Sequence, residues 1–132
     1  MFLTEKDILA EPHEMGLNEF FSHHLLEKGA PAQDIILIRG TIKPGFGHEF
    51  HYHTDREEFL YILSGSIEQW VGEEKRILGP GEVVYVPAGV VHGSYNAGSE
   101  DAQLLAIFNN KNAEAELATD VSQQEPWASI RN

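Results

Sequence analysis

The chain has no cysteine among its 132 residues, which excludes disulfide staples and thiolate metal ligands. It is also poor in positive charge, with 9 Lys and Arg against 21 Asp and Glu and a formal net charge of −12. That excess repels phosphate backbones, so nucleic acid is not an expected partner. No apolar run approaches the ~18 residues of a membrane-crossing helix, and no membrane association is expected. The opening Met-Phe-Leu-Thr-Glu-Lys-Asp lacks the basic-then-apolar pattern of a secretory leader, and a cytoplasmic location is expected. Internal repeats and low-complexity tracts are absent. What remains is an ordinary globular composition, 42% hydrophobic and 23% charged, at a length that suits one domain with a real core.

Residues 1–34 read as an irregular N-terminal arm. Within it Leu17, Phe20, Phe21, His24 and Leu25 sit at helical spacing, with Gly29 and Pro31 placed to stop a helix; the same stretch also reads as extended. From residue 35 short apolar runs follow one another, at 35–38, 59–63, 67–71, 83–86, 90–91 and 104–108. Gly and Pro punctuate them at 44–45, 64–65, 79–81 and 87–89. Many short strands with turn signals at this spacing predict an all-β sandwich or barrel over residues 35–110. Residues 111–132 read as a polar tail, with a short helix over 113–118 and Trp127 as the one large apolar residue able to anchor it.

The chemistry concentrates in residues 45–96. His51, His53 and His92, with a carboxylate from Glu57 or Glu58, form a natural ligand set for a divalent transition metal. His51 and His53 are two apart, so on a strand both imidazoles face the same side and Tyr52 faces away. A lone histidine on an apolar strand is more often a hydrogen-bonded core residue. His13, His23, His24 and His48 are read that way or as surface residues, with His48 alone near enough to line the mouth of a site. Phe46, Phe50, Trp70 and Tyr85 are read chiefly as packing, with one or two of them available to wall a pocket.

These segments resemble the two motifs of the cupin superfamily. Gly45, His51, His53, Glu58 and Gly65 meet Gly-x5-His-x-His-x(3,4)-Glu-x6-Gly; Gly81, Pro87, Gly89, His92 and Asn96 meet Gly-x5-Pro-x-Gly-x2-His-x3-Asn. Residues 66–80 separate the two, a gap close to the shortest the family uses. The resemblance implies a double-stranded β-helix, a small jelly roll. It also implies one divalent transition metal per chain (Fe, Mn, Ni, Zn or Cu) held by His51, His53, Glu58 and His92. The six-residue spacing to Gly65 selects Glu58 over Glu57, and Asn96 is expected to close the next turn.

Side-chain parity carries a further expectation. If Glu58 points inward, Leu60 and Ile62 do too, while Phe59, Tyr61 and Leu63 point outward and are equally apolar. A lone small barrel should wet its outer face, so the arm and a second subunit are expected to cover it in a homodimer.

Three functions follow from the resemblance. The first is a small-molecule metalloenzyme, dioxygenase-like or an isomerase, decarboxylase or lyase, with Glu58 as a catalytic base. The alternative is a non-catalytic module that binds or senses a small ligand through the metal. The third, a seed-storage role, belongs to longer family members that often lack the ligands.

Overall fold

The protein's structure, a computed structural model, describes residues 1–22, 28–109 and 117–132. The described residues form eleven strands and one short 3-10 turn at Glu5–Asp7. The strands are β1 (Leu9–His13), β2 (Gly16–Phe20), β3 (Ile36–Ile42), β4 (Gly47–Tyr52), β5 (Glu58–Ser64), β6 (Ile67–Val71), β7 (Glu74–Leu78), β8 (Val83–Val86), β9 (His92–Asn96), β10 (Ala102–Phe108) and β11 (Thr119–Asp120). They pair antiparallel in two sheets of order β1-β2-β3-β10-β5-β8 and β11-β4-β9-β6-β7. This is the all-β jelly roll expected, and no described helix is long and apolar enough to cross a membrane.

Alternation along the strands builds the core. In β5, Glu58, Leu60 and Ile62 are buried while Phe59, Tyr61 and Leu63 are exposed. Ile36, Ile38 and Ile42 of β3 and Leu104, Ala106 and Phe108 of β10 meet the same core, joined by Ile67 and Leu78 from the facing sheet. Burying each such large aliphatic side chain contributes roughly 1.5–3 kcal/mol.

A second apolar cluster lies on the other face of the smaller sheet. Phe50, Trp70, Tyr95 and Val121 are buried there, with Trp127 and Ile130 packed on them. Trp127 does anchor the tail, its ring 5.2 Å from that of Phe50. Arg131 reinforces it, its guanidinium 3.5 Å over the Tyr95 ring and its Nε donating to Glu68 Oε1 at 2.8 Å. β4 therefore has two uses: Phe50 holds the tail and His51 faces inward. Close packing here demands Gly47, where a Cβ would meet the Tyr95 ring at 2.2 Å.

The lead-in differs from the irregular arm anticipated. β1 and β2 form a hairpin that extends the larger sheet by pairing β2 with β3. Extended structure prevails over the helical reading at residues 17–20, because pairing with β3 satisfies their backbone groups. Gly16 permits this at φ 153°, where a Cβ would meet Thr41 O at 1.8 Å. The hairpin widens the sheet rather than covering its outer face, so Phe59, Tyr61 and Tyr85 stay exposed. His23, His24 and Leu25, and most of the helix expected over 113–118, lie outside the described residues. Residues 117–118 are not helical, and residues 90–91 are loop rather than strand.

Candidate metal centre

Three strands and the segment just past one of them bring His51, His53, Glu58 and His92 together. His51 is on β4 and pairs directly with His92 on β9. His53 lies just past the end of β4, where its backbone oxygen accepts from Gly89 N at 2.8 Å. That bond ties the first histidine segment to the turn preceding His92. Glu58 opens β5, in register with Val86 and Phe108. All four side chains are buried.

The three imidazoles each offer a ligand nitrogen within 4.8 Å of the others, forming a cluster able to hold a metal ion. Their tautomers follow from their other nitrogens. His51 Nδ1 lies 2.6 Å from Glu49 O, His92 Nδ1 lies 3.0 Å from Val90 O, and His53 Nδ1 contacts Leu117 O. A carbonyl oxygen only accepts, so each Nδ1 carries the proton and each Nε2 presents a lone pair. Metal-binding histidines commonly have this outer support.

The Nε2 atoms of His53 and His92 lie 2.7 and 3.3 Å from Glu58 Oε2. Yet all three atoms are buried without a partner in hydrogen-bonding geometry. Lone pairs converging on a carboxylate in a dry site call for a cation to lie among them. The donor set of nitrogen and oxygen atoms therefore fits a divalent transition metal. Burial would raise the Glu58 pKa, but a cation shared with the His53 and His92 nitrogens, a proton in the metal-free site, outweighs it and holds the carboxyl below its ordinary value. Burial, helped by the neighbouring His48 and His92, lowers His51 and keeps it neutral. Both states are those that ligation requires.

A cavity of about 150 Å³ opens beside the cluster. Phe20, Ile38, Leu60, Leu104, Ala106 and Phe108 form its apolar walls, and Asn18 and Ser94 add polar ones. His48 stacks on His51 at 3.8 Å and lines the cavity, as expected from its position. His13 lines it too, from β1, and both its ring nitrogens are buried without a hydrogen-bond partner. Nothing in the sequence around His13 distinguishes it, since it arrives through the hairpin's pairing with β3. Of the aromatics considered, Phe50 and Trp70 pack under the tail, while Phe46 and Tyr85 are exposed. Phe20 and Phe108 wall the cavity in their place, and Phe108 meets the His53 ring at 4.8 Å. Glu57 accepts a hydrogen bond from the Tyr85 hydroxyl at 3.2 Å, away from the cluster. Asn96 closes its turn, donating to Ile42 O and Glu100 O and accepting from Gly98 N.

Residues 38–108 match the family model described as Cupin domain. The chain is 31% identical to germin-like protein 3-8 of Oryza sativa subsp. japonica over 58% of this chain and 36% of that protein. It is 29% identical to oxalate decarboxylase OxdC of Bacillus subtilis (strain 168), over 67% of this chain and 27% of that one. It thus spans well under half of these curated relatives. Among solved structures, KdgF from Halomonas sp. superposes with a TM-score of 0.69 at 21% identity, covering 83% of this chain and 93% of that one. The B. subtilis oxalate decarboxylase, a protein with Mn(II) centres, superposes at 0.71 with 24% identity, over 86% and 30% of the two chains. These structural likenesses concern the fold.

Proposed function

The chain belongs to the cupin domain family, and from that premise we propose that it is a small-molecule metalloenzyme whose single divalent transition metal is held by His51, His53, Glu58 and His92. The observation carrying this reading is the convergence of buried, unpartnered Nε2 and carboxylate atoms beside a cavity. The bound ion supplies Lewis-acid chemistry and, if it is iron, manganese or copper, electron transfer. Manganese, the metal in the centres of the similar oxalate decarboxylase, is one candidate.

The protein's own part is to orient, protect and move a proton. Backbone carbonyls at Glu49, Val90 and Leu117 fix the three rings, so the donor atoms need no rearrangement. Leu60, Leu104 and Phe108 exclude water from the reacting face. Glu58, kept ionised, is the group able to take a proton from a substrate at a carboxylate oxygen. We assign the reaction to the dioxygenase type, because this apolar wall beside the cluster suits an apolar gas co-substrate. Turnover of a panel of small aliphatic diketones, followed with and without oxygen, tests it. Oxygen-dependent product is expected, and equal anaerobic rates would remove this assignment.

We also propose a homodimer. Phe59, Tyr61, Val83, Tyr85 and Ile107 form an exposed apolar face on β5, β8 and β10, with Phe59 opposite Tyr85 and Tyr61 opposite Val83. Since β8 is the sheet's edge, this face and its unpaired backbone suit a second copy.

A further inference from the structure

The charge of the cavity limits what it can take. Among the described residues lining it there is no lysine or arginine, and Glu58 is the sole carboxylate. Two arginines of the barrel are committed elsewhere: Arg39 pairs with Glu19 at 2.7 Å, and the buried Arg56 has its own interaction and does not line the cavity. With three neutral imidazoles and one carboxylate, a bound dication leaves a net charge of one positive. A monoanion brings the site to neutrality. A dianion leaves an uncompensated negative charge among Phe20, Ile38, Leu60, Leu104 and Phe108, which a dry interior opposes strongly.

The size and texture of the cavity limit the ligand further. About 150 Å³ holds roughly five water molecules. Apolar side chains from β2, β3, β5 and β10 make one wall, so a ligand must present a hydrocarbon surface there. The polar Asn18 and Ser94 offer hydrogen bonds without charge. We propose that this cavity is selective for small monoanionic oxygen donors with a short aliphatic body, such as α-keto acids and enolates, and discriminates against compact dianions such as oxalate. This rests on the metal site proposed above and sets the chain apart from its oxalate-decarboxylating relatives, whose name specifies a dianionic substrate.

Calorimetric titration of manganese-loaded protein with oxalate, pyruvate and α-ketoisovalerate tests the proposal. Pyruvate replaces one oxalate oxygen with a methyl group, and α-ketoisovalerate extends it by two carbons. Each buried carbon should add roughly fourfold in affinity, so α-ketoisovalerate should bind about tenfold or more tightly than pyruvate. Oxalate chelates free manganese well in its own right, so its discrimination is read within the protein. A cation introduced by Leu104→Arg should raise oxalate affinity at least about tenfold and lower that of α-ketoisovalerate. Asn18→Lys, at a half-buried position facing Gly40 inside the cavity, should act in the same direction and serves if Leu104→Arg does not fold. Oxalate affinity unchanged in a folded variant, or affinity falling from pyruvate to α-ketoisovalerate, would overturn the proposal. Manganese loading is measured separately. A wild-type chain that takes no manganese or other divalent transition metal overturns the site reading and this inference together. Normal loading with the wrong ligand order overturns this inference alone.

Discussion

His92 faces His51 directly across the antiparallel β4–β9 pair, with ring centroids 4.2 Å apart. Backbone pairing, not a ligand, sets that approach, so the site is preorganised by the sheet. His51→Ala or His92→Ala should therefore lower metal affinity by tens- to hundreds-fold, since even supporting residues around a metal are worth about 10–100-fold. Chelator competition measures the loss. Both metal-free variants should keep a cooperative melt, and an unfolded metal-free wild type would instead make the ion structural.

Glu58→Gln separates shape from charge. The amide fills the same volume but cannot take a proton, so kcat should fall by about 10²–10⁴-fold if Glu58 is the base. Metal content measured on the same sample distinguishes this from simple loss of the ion. A fully loaded variant with undiminished kcat would remove Glu58 from that role.

The tail gives a pH-dependent prediction. Burial would raise the Glu68 pKa, but bonds from Arg131 and Trp70, each 2.8 Å to Oε1, lower it below the ordinary 4.5. A carboxyl depressed in the folded state adds stability that is fully present above the unfolded value near 4.5. That stability fades as pH falls through the lower folded value. Glu68→Gln should thus cost about 1 kcal/mol at pH 7, with the difference closing as pH falls below the ordinary 4.5. Paired denaturation curves across pH check both the size and the sign.

Gly47 tests the packing that ties tail and metal strand together. Gly47→Ala drives a Cβ into the Tyr95 ring, and should destabilise by about 1–3 kcal/mol in a thermal melt.

The exposed face predicts an oligomeric state. Light scattering after size exclusion should give about twice the 14.8 kDa chain mass. Tyr61→Glu with Val83→Glu should return the protein to a monomer. A wild-type species of 14.8 kDa would contradict the proposed dimer.

Much of this was legible from residue spacing. β5 alternates inward and outward as parity requires, and both histidine segments are long enough to locate the cluster. The elements that escaped lacked a local apolar signal. β7 reads Glu-Lys-Arg-Ile-Leu with only Leu78 buried, because it is an edge strand. β1 and β2 are ordered by pairing with β3 rather than by their own pattern. His13 and the Leu117 carbonyl reach the site only through tertiary placement, and Leu117 lies 64 residues from the His53 ring it orients.

The central claim is that His51, His53, Glu58 and His92 hold one divalent transition metal. Elemental analysis by mass spectrometry, on protein purified without immobilised nickel or chelator, tests it most directly. The account predicts close to one equivalent of iron, manganese, copper, nickel or zinc per chain, sharply reduced in His92→Ala. A folded wild-type chain that carries none of these, and binds none when they are supplied at neutral pH, would contradict it.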